Sequence, residues 1–378
     1  MVAAATAERT RTTGILPVQA LRRLVEDGRI RAEGGIPDDL VQPASLDLRL
    51  GRRAFRVRTS FLPGLSSTVQ AKLDRLTMHE IDLTRPAVLE RGCVYIVELM
   101  EHLTLPREMS AKANPKSSTG RLDVFTRLVT DHCEAFESVE AGYEGPLYLE
   151  IAPRTFSVRV QAGLRLNQLR VWRGNPRTSD SLHRELHQRE RLVDPASLDG
   201  AEPMIRDGLW VSVDLSGEGH GGLVGYRARR HAPLIDLGLV DHYRVKDFWE
   251  PVFANDDRTL ILDPNQFYIL VSRERVSVPP DSAAEMVAYD TAFGEFRIHY
   301  AGFFDPGFGY GAEGGGGTPA VLEVRSHEVP FEIAHGQRVC RLVYERLVEA
   351  PERLYGAGIG SHYQGQGLKL SKHFRREG

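Results

Sequence analysis

The chain of 378 residues is poor in several features that would each announce a class. It has only three cysteines, Cys93, Cys133 and Cys340, widely spaced and with no CxxC pair, which argues against a disulfide framework and against a structural zinc site. Neither sign of charge is in real excess. Its 48 basic and 51 acidic residues leave a formal net charge of −3, so the overall field gives duplex nucleic acid or an anionic membrane nothing to bind. No apolar run approaches the roughly 20 residues that span a bilayer, and the opening MVAAATAERTRTTG has no continuous apolar signal core. The expectation is a soluble protein of the reducing cytoplasm with a frayed start, in which any phosphate site is local.

What the chain does have is apolar content and internal symmetry. With 42% hydrophobic residues over this length, it can bury a large core and is expected to form two domains. Residues 89–171 align with 262–344 at a constant offset of 173, without a gap. In that register Tyr95-Ile96 meets Tyr268-Ile269, Leu105-Pro106 meets Val278-Pro279, Leu149-Glu150 meets Leu322-Glu323, and Gly163 meets Gly336. A period this long means two whole domains and not a solenoid. The expected division is 1–172 for the first lobe, 173–199 for a polar connector and 200–378 for the second lobe.

Each copy reads as short strands. Residues 94–97, 147–151, 268–271 and 320–324 are rich in β-branched and aromatic side chains and are mostly flanked by Gly, Pro or Asp. The expected fold is therefore mainly β, a distorted barrel or sandwich in each lobe, with a few short helices. One helix is expected over 17–27, where Leu21, Leu24 and Val25 recur at helical spacing between an opening proline and Gly28. A second is expected over 241–249.

Two local patterns carry chemistry. Asn114-Pro115-Lys116-Ser117-Ser118-Thr119-Gly120-Arg121 puts two hydroxyls between two cations at a turn, a set of donors suited to a triphosphate. The P-loop order GxxxxGK[ST] is missing from it, and an ordinary polar turn also fits. In the second lobe, Ala301-Gly302-Phe303-Phe304-Asp305-Pro306-Gly307-Phe308-Gly309 is a turn signal, followed by Val321-Leu322-Glu323 on an apolar strand. A carboxylate in such a strand is a candidate for a raised pKa and general acid/base work, or else an outward-facing residue of an alternating strand.

Taken together, these segments resemble a known family. Gln42-Pro43-Ala44-Ser45-Leu46-Asp47-Leu48-Arg49-Leu50-Gly51 resembles the PaSxDlrlG strand of dCTP deaminases, which belong to the trimeric dUTPase-like fold. Lys116 to Arg121 looks like their RSSLAR phosphate motif, and residues 301–309 look like their DPGWxG hairpin. Val321-Leu322-Glu323 is similar to their VLE strand. Tyr355 with His362-Tyr363-Gln364-Gly365-Gln366 resembles their closing tail, usually written Y…KYxxQ.

The resemblance implies deamination of dCTP to dUTP for pyrimidine deoxynucleotide supply, with Glu323 activating water and Ala301 ordering that water through its backbone. It further implies that Asp305 fixes the sugar or base and that Lys116, Ser117, Ser118, Arg121, Val321, Leu322, Tyr355, His362 and Gln366 bind substrate. Magnesium is expected on the triphosphate and not on the protein. No zinc is expected, since His132-Cys133-Glu134 has only half of the zinc-deaminase signature and no PCxxC follows. Because single-lobe relatives are trimers, a homo-oligomer is expected, with a trimer as the leading form. dTTP is a candidate feedback effector.

The two copies differ from the family pattern in complementary ways. Lys116 stands where the family has Arg, and His362 where it has Lys. At the repeat position of the serine motif the second lobe has Asp290, which would repel phosphate, while the first has His132 in register with Asp305 and no DPG turn. A composite site follows, with Lys116, Ser117, Ser118 and Arg121 from the first lobe facing Asp305, Glu323 and the tail of the second. Glu150, the repeat partner of Glu323, is then expected to be idle or regulatory. Two alternatives stay open: a dUTPase or bifunctional enzyme giving dUMP and pyrophosphate, and a non-catalytic nucleotide sensor.

Overall fold

The structure is a computed structural model and describes residues 11–288, 296–298, 302–311, 316–326, 329–356 and 367–375. It is mainly β, as the strand-like segments require. In the first lobe the sheet runs through Val124–Thr130, Glu144–Pro153, Val94–Thr104, Leu46–Val57, Arg165–Arg173, Met109–Pro115 and Ser138–Val139, and the first and last of these lie against each other, so the sheet nearly closes. The second lobe splits the same plan into a four-stranded and a five-stranded sheet.

The repeat survives as structure down to the register of its ladders. Arg173 faces Met109 in the first lobe, and Arg346 faces Ser282 in the second. Leu149 faces Val97 as Leu322 faces Leu270, and Val158 faces Leu89 as Phe331 faces Leu262. Because a slip of one residue would turn every side chain to the opposite face, this agreement means that both copies bury the same alternation.

The helix expected over 17–27 forms at Val18–Glu26, with Pro17 at its N-cap and Val18, Ala20, Leu21 and Leu24 buried. The helix expected over 241–249 does not. Only the 3₁₀ turn Val245–Asp247 is present, and the strand Trp249–Phe253 begins where the helix would have continued. The apolar residues Phe248 and Trp249 pack in an aromatic cluster with Phe156 and Phe374.

The stretch 173–199, expected as a connector, is folded onto the second lobe. The helix Asp180–Glu190 buries His183, and Leu192, Val193 and Leu198 join the second lobe's core. The lobes also share apolar packing: Ile235, Trp249, Phe267 and Phe374 from the second half are buried in the same cluster as Leu48, Leu89 and Phe156 of the first. The strand Ile235–Asp236 pairs in parallel with Val158–Val160. Among the described residues, no helix is long and apolar enough to cross a membrane.

Candidate active site

The strand Met109–Pro115 ends at a proline, and the chain then turns through Lys116 into a single helical turn, Ser117–Gly120, closed by Gly120 N–H donating to the Lys116 carbonyl at 3.0 Å. Ser117 is exposed, Ser118 and Arg121 are buried, and the Lys116 ammonium is paired with the buried carboxylate of Asp47. Arg165 approaches the same Asp47 at 3.8 Å and holds Asp39 at 2.6 Å.

Opposite this turn stands the strand Thr318–Ser326 of the second lobe, paired with Phe267–Val276. Alternation sends Val321 and Glu323 toward the first lobe, while Leu322 is fully buried in the second lobe's core. The Glu323 carboxylate lies against the backbone of Gly120, where a Cβ would stand 2.5 Å from Oε2. Burial pushes its pKa up to about 8; Arg121 opposes the shift and Asp123 adds to it. Asp123 is itself in a buried pair with Arg325, which also donates to Thr155 Oγ1 at 2.8 Å.

Asp305 closes another side. Its Oδ1 accepts from Arg170 Nη2 at 3.0 Å and its Oδ2 from Ser45 Oγ at 3.3 Å. Burial raises its pKa, against the pull of Arg170 and Ser45. Arg170 is 1% exposed and also donates to the carbonyls of Ala284 at 3.0 Å and Phe304 at 3.3 Å, so one guanidinium fixes the hairpin from the first lobe. Gly307 sits at φ 95°, where a side chain would meet Leu354 and Tyr355 within about 3 Å. Tyr355 N–H caps this turn by donating to the Pro306 carbonyl at 2.7 Å.

These groups surround one cavity of about 640 Å³. Lys116, Ser117, Ser118, Arg121, Asp305, Val321, Glu323 and Tyr355 all line it, and all belong to one chain. Leu322 does not: its side chain is core, and a substrate contact through that side chain is ruled out by the alternation of the strand. Ala301, Asp290, His362 and Gln366 lie outside the described residues. Among the described residues, no three of His, Cys, Asp and Glu gather as a metal-holding cluster.

Glu150 is in different surroundings. It is 1% exposed and tied to Arg127, whose Nε donates to Oε1 at 3.0 Å and whose Nη2 also holds Ser60 Oγ at 2.9 Å. The face that Val321 opens to the cavity in the second lobe is occupied in the first by Tyr148, packed under the helix Val69–Leu76 in a cluster with Val57, Ile96 and Val129. That helix covers this face of the first lobe with Val69, Leu73 and Leu76.

Several cavity or supporting residues escaped the sequence reading. Ser45 and Asp47 lie within the 42–51 motif, whose pattern marks a strand. Arg170 was legible in principle, since a charge between Leu169 and Val171 on a buried strand needs a partner. Arg165 and Lys372 gave no local signal.

With this geometry in hand, comparison with known proteins places the chain. The family model described as 2′-deoxycytidine 5′-triphosphate deaminase (DCD), N-terminal domain, matches residues 12–175, and the C-terminal domain model matches 179–374. A "dCTP deaminase, dUMP-forming" from Thermobifida fusca (strain YX) is 32% identical over 158 residues, 41% of this chain and 76% of the relative. One of the same description from Streptomyces coelicolor is 31% identical over 162 residues, 42% of this chain and 80% of the relative. The crystal structure of 2′-deoxycytidine 5′-triphosphate deaminase from Agrobacterium tumefaciens superposes with a TM-score of 0.85 at 55% identity, covering 90% of this chain and 100% of that one.

Proposed function

The chain belongs to the 2′-deoxycytidine 5′-triphosphate deaminase family, and from that premise we propose that its composite cavity deaminates dCTP to dUTP and ammonia. The enzyme is a hydrolase of the cytosine C4 amino group. The observation that carries the reading is the meeting of Glu323 with the Lys116–Arg121 turn in one cavity of one chain. A carboxyl with a pKa of about 8 is matched to taking and returning a proton near neutral pH. In the proposed reaction, Glu323 takes a proton from water as its oxygen bonds to C4, then gives a proton to the amino group as the C4–N bond breaks and ammonia leaves.

The other roles follow the chemistry of the lining. Lys116 and Arg121, with the Ser117 and Ser118 side of the turn, receive the triphosphate; Arg121 also offsets charge on Glu323. Asp305, held by Arg170 and Ser45, presents a fixed polar edge to sugar or base, and Val321 offers an apolar one. Ala301 as the residue ordering the water, and His362 and Gln366 as the residues closing over the phosphates, rest on the family resemblance. Magnesium is proposed to arrive with the triphosphate as part of the substrate. The Arg127 pair and the covering helix support an idle Glu150.

A second reading has its own support. The relatives named "dUMP-forming" favour a bifunctional enzyme that carries dCTP through to dUMP and pyrophosphate. Incubation with dCTP and, separately, with dUTP tests both: ammonia without pyrophosphate from dCTP identifies the deaminase, and pyrophosphate from either identifies the second step. A cytoplasmic location, a trimeric homo-oligomer and dTTP feedback complete the proposal. dTTP shares the triphosphate and deoxyribose of the substrate, and competition between dTTP and dCTP at this cavity is the check.

A further inference from the structure

Residues 367–375 cross behind the Lys116–Arg121 turn and are tied to it twice. Arg121 Nη1 donates to the Lys369 carbonyl at 2.7 Å, and the Ser371 hydroxyl donates to the Ser118 carbonyl at 2.7 Å. The strap is equally well fixed on its other side. The Lys372 carbonyl accepts from Asp241 N–H at 2.9 Å, and the His373 carbonyl accepts from the His242 and Tyr243 amides at 3.0 Å. Ser371, His373 and Phe374 are buried, Phe374 within the aromatic cluster of Phe248 and Trp249.

Lys372 and His373 form a turn between the buried Ser371 and Phe374, and both line the cavity, with Lys372 the less buried of the two. Its charged neighbours there are Lys116, Asp47 and Arg165. Three cations are thus gathered near the buried carboxylate of Asp47, with Asp39 holding Arg165 from the rim. Like charges held this close in a partly buried wall repel one another, and a polyanion relieves that repulsion. Burial first, and then Lys116, hold the Lys372 ammonium below the ordinary lysine range, with Asp47 opposing.

We propose that Lys372, delivered on the chain's own C-terminal strap, is a further triphosphate-binding residue of this site. The proposal rests on the reading of the cavity as the dCTP site. It also gives the strap a purpose beyond packing: the same nine residues brace Ser118 and Arg121 from behind and add a cation in front. A triphosphate bridging Lys116 and Lys372 would join the turn of the first lobe to the tail of the second.

The test measures equilibrium binding of magnesium-loaded dCTP and of dCMP to a non-turning-over Glu323→Gln parent, with and without Lys372→Gln. Loss of one charge-assisted contact is expected to weaken dCTP about 10- to 100-fold, with dCMP changed much less and Lys372→Arg retaining most of the affinity. Unchanged dCTP binding, or equal weakening of dCTP and dCMP, overturns the proposal alone. A parent that binds no dCTP overturns the reading of the cavity and the proposal with it. Should Lys372→Gln not fold, the wild-type enzyme answers: mass-spectrometric mapping of lysine acetylation should show Lys372 protected by dCTP and not by deoxycytidine, and equal labelling overturns the proposal.

Discussion

Lys112 and Glu285 occupy the same position of the internal repeat, 173 residues apart, and are bonded to each other, Nζ to Oε1 at 2.5 Å. Opposite charges at one repeat position thus make a lobe-to-lobe contact. Asn114 adds a bond to the same Glu285 oxygen at 3.3 Å. An interface made of matching positions with unlike side chains fixes which lobe is which.

A charge swap checks that contact. Lys112→Glu should destabilise the enzyme by about 1 kcal/mol, since the lysine is part-exposed and screened. Adding Glu285→Lys should restore most of the loss. Urea midpoints of the two single variants and the double variant measure it, and additive losses in the double would refute the pairing.

The division of labour between the two glutamates is open to direct assay. Glu323→Gln should remove ammonia release from dCTP by at least about 10²-fold, the scale of a lost general base. Glu150→Gln should leave most of the activity, at some cost in stability from the Arg127 charge left behind. The reverse pattern would sink the composite site.

The pH profile follows from the raised Glu323 pKa. A base must be unprotonated, so kcat/KM should climb with pH and level off above about 8. Stability runs the other way. Above the ordinary value of 4.5 the unfolded chain releases a proton that the folded protein keeps until about pH 8, so folding loses free energy across that window. Glu323→Gln abolishes that slope, and thermal melts at pH 5 and pH 8 should show the variant gaining on the wild type at the higher pH.

Gly120 is expected to act through Glu323. A methyl group at this position would meet Oε1 and Oε2 of the carboxylate at 2.9 and 2.5 Å, and the flexible end of Glu323 would move before the backbone did. Gly120→Ala should therefore fold, keep its KM within a few-fold, and lose about 10²-fold in kcat, the scale of an ångström misplacement. A parallel rise in KM alone would contradict this.

Arg170 is the buried anchor of the hairpin. Arg170→Met should cost about 3 kcal/mol, because the buried Asp305 carboxylate and two carbonyls lose their donor. Pairing it with Asp305→Asn should return part of that stability in a denaturant melt, though not the activity.

Much was readable from the chain alone. The repeat offset, the strand-like segments, the helix after Pro17 and the complementary defects of the two copies are all local or one-dimensional, and each reports alternation, turn chemistry or residue type that a sequence carries directly. So were Lys116, Ser117, Ser118, Arg121, Asp305, Val321 and Glu323 of the cavity, through the motifs at 116–121, 305–309 and 321–323. The helix expected over 241–249 is absent for the opposite reason: Phe248 and Trp249 pack against residues from distant parts of the chain, Phe156 and Phe374. Likewise the polar look of 173–199 hid Leu192 and Val193, which a remote core claims.

What the tertiary structure alone decided is environment. Glu150 and Glu323 share a repeat position and similar strands, yet one is paired with Arg127 and the other faces a cavity across Gly120. Lys372 follows the motif tail with nothing in its neighbours to mark it, and becomes a cavity residue because remote partners, Ser118, Arg121 and Asp241 among them, fix the strap. A side chain's charge, burial and reach depend on which remote segments pack around it, and those distances exist only once the chain has folded.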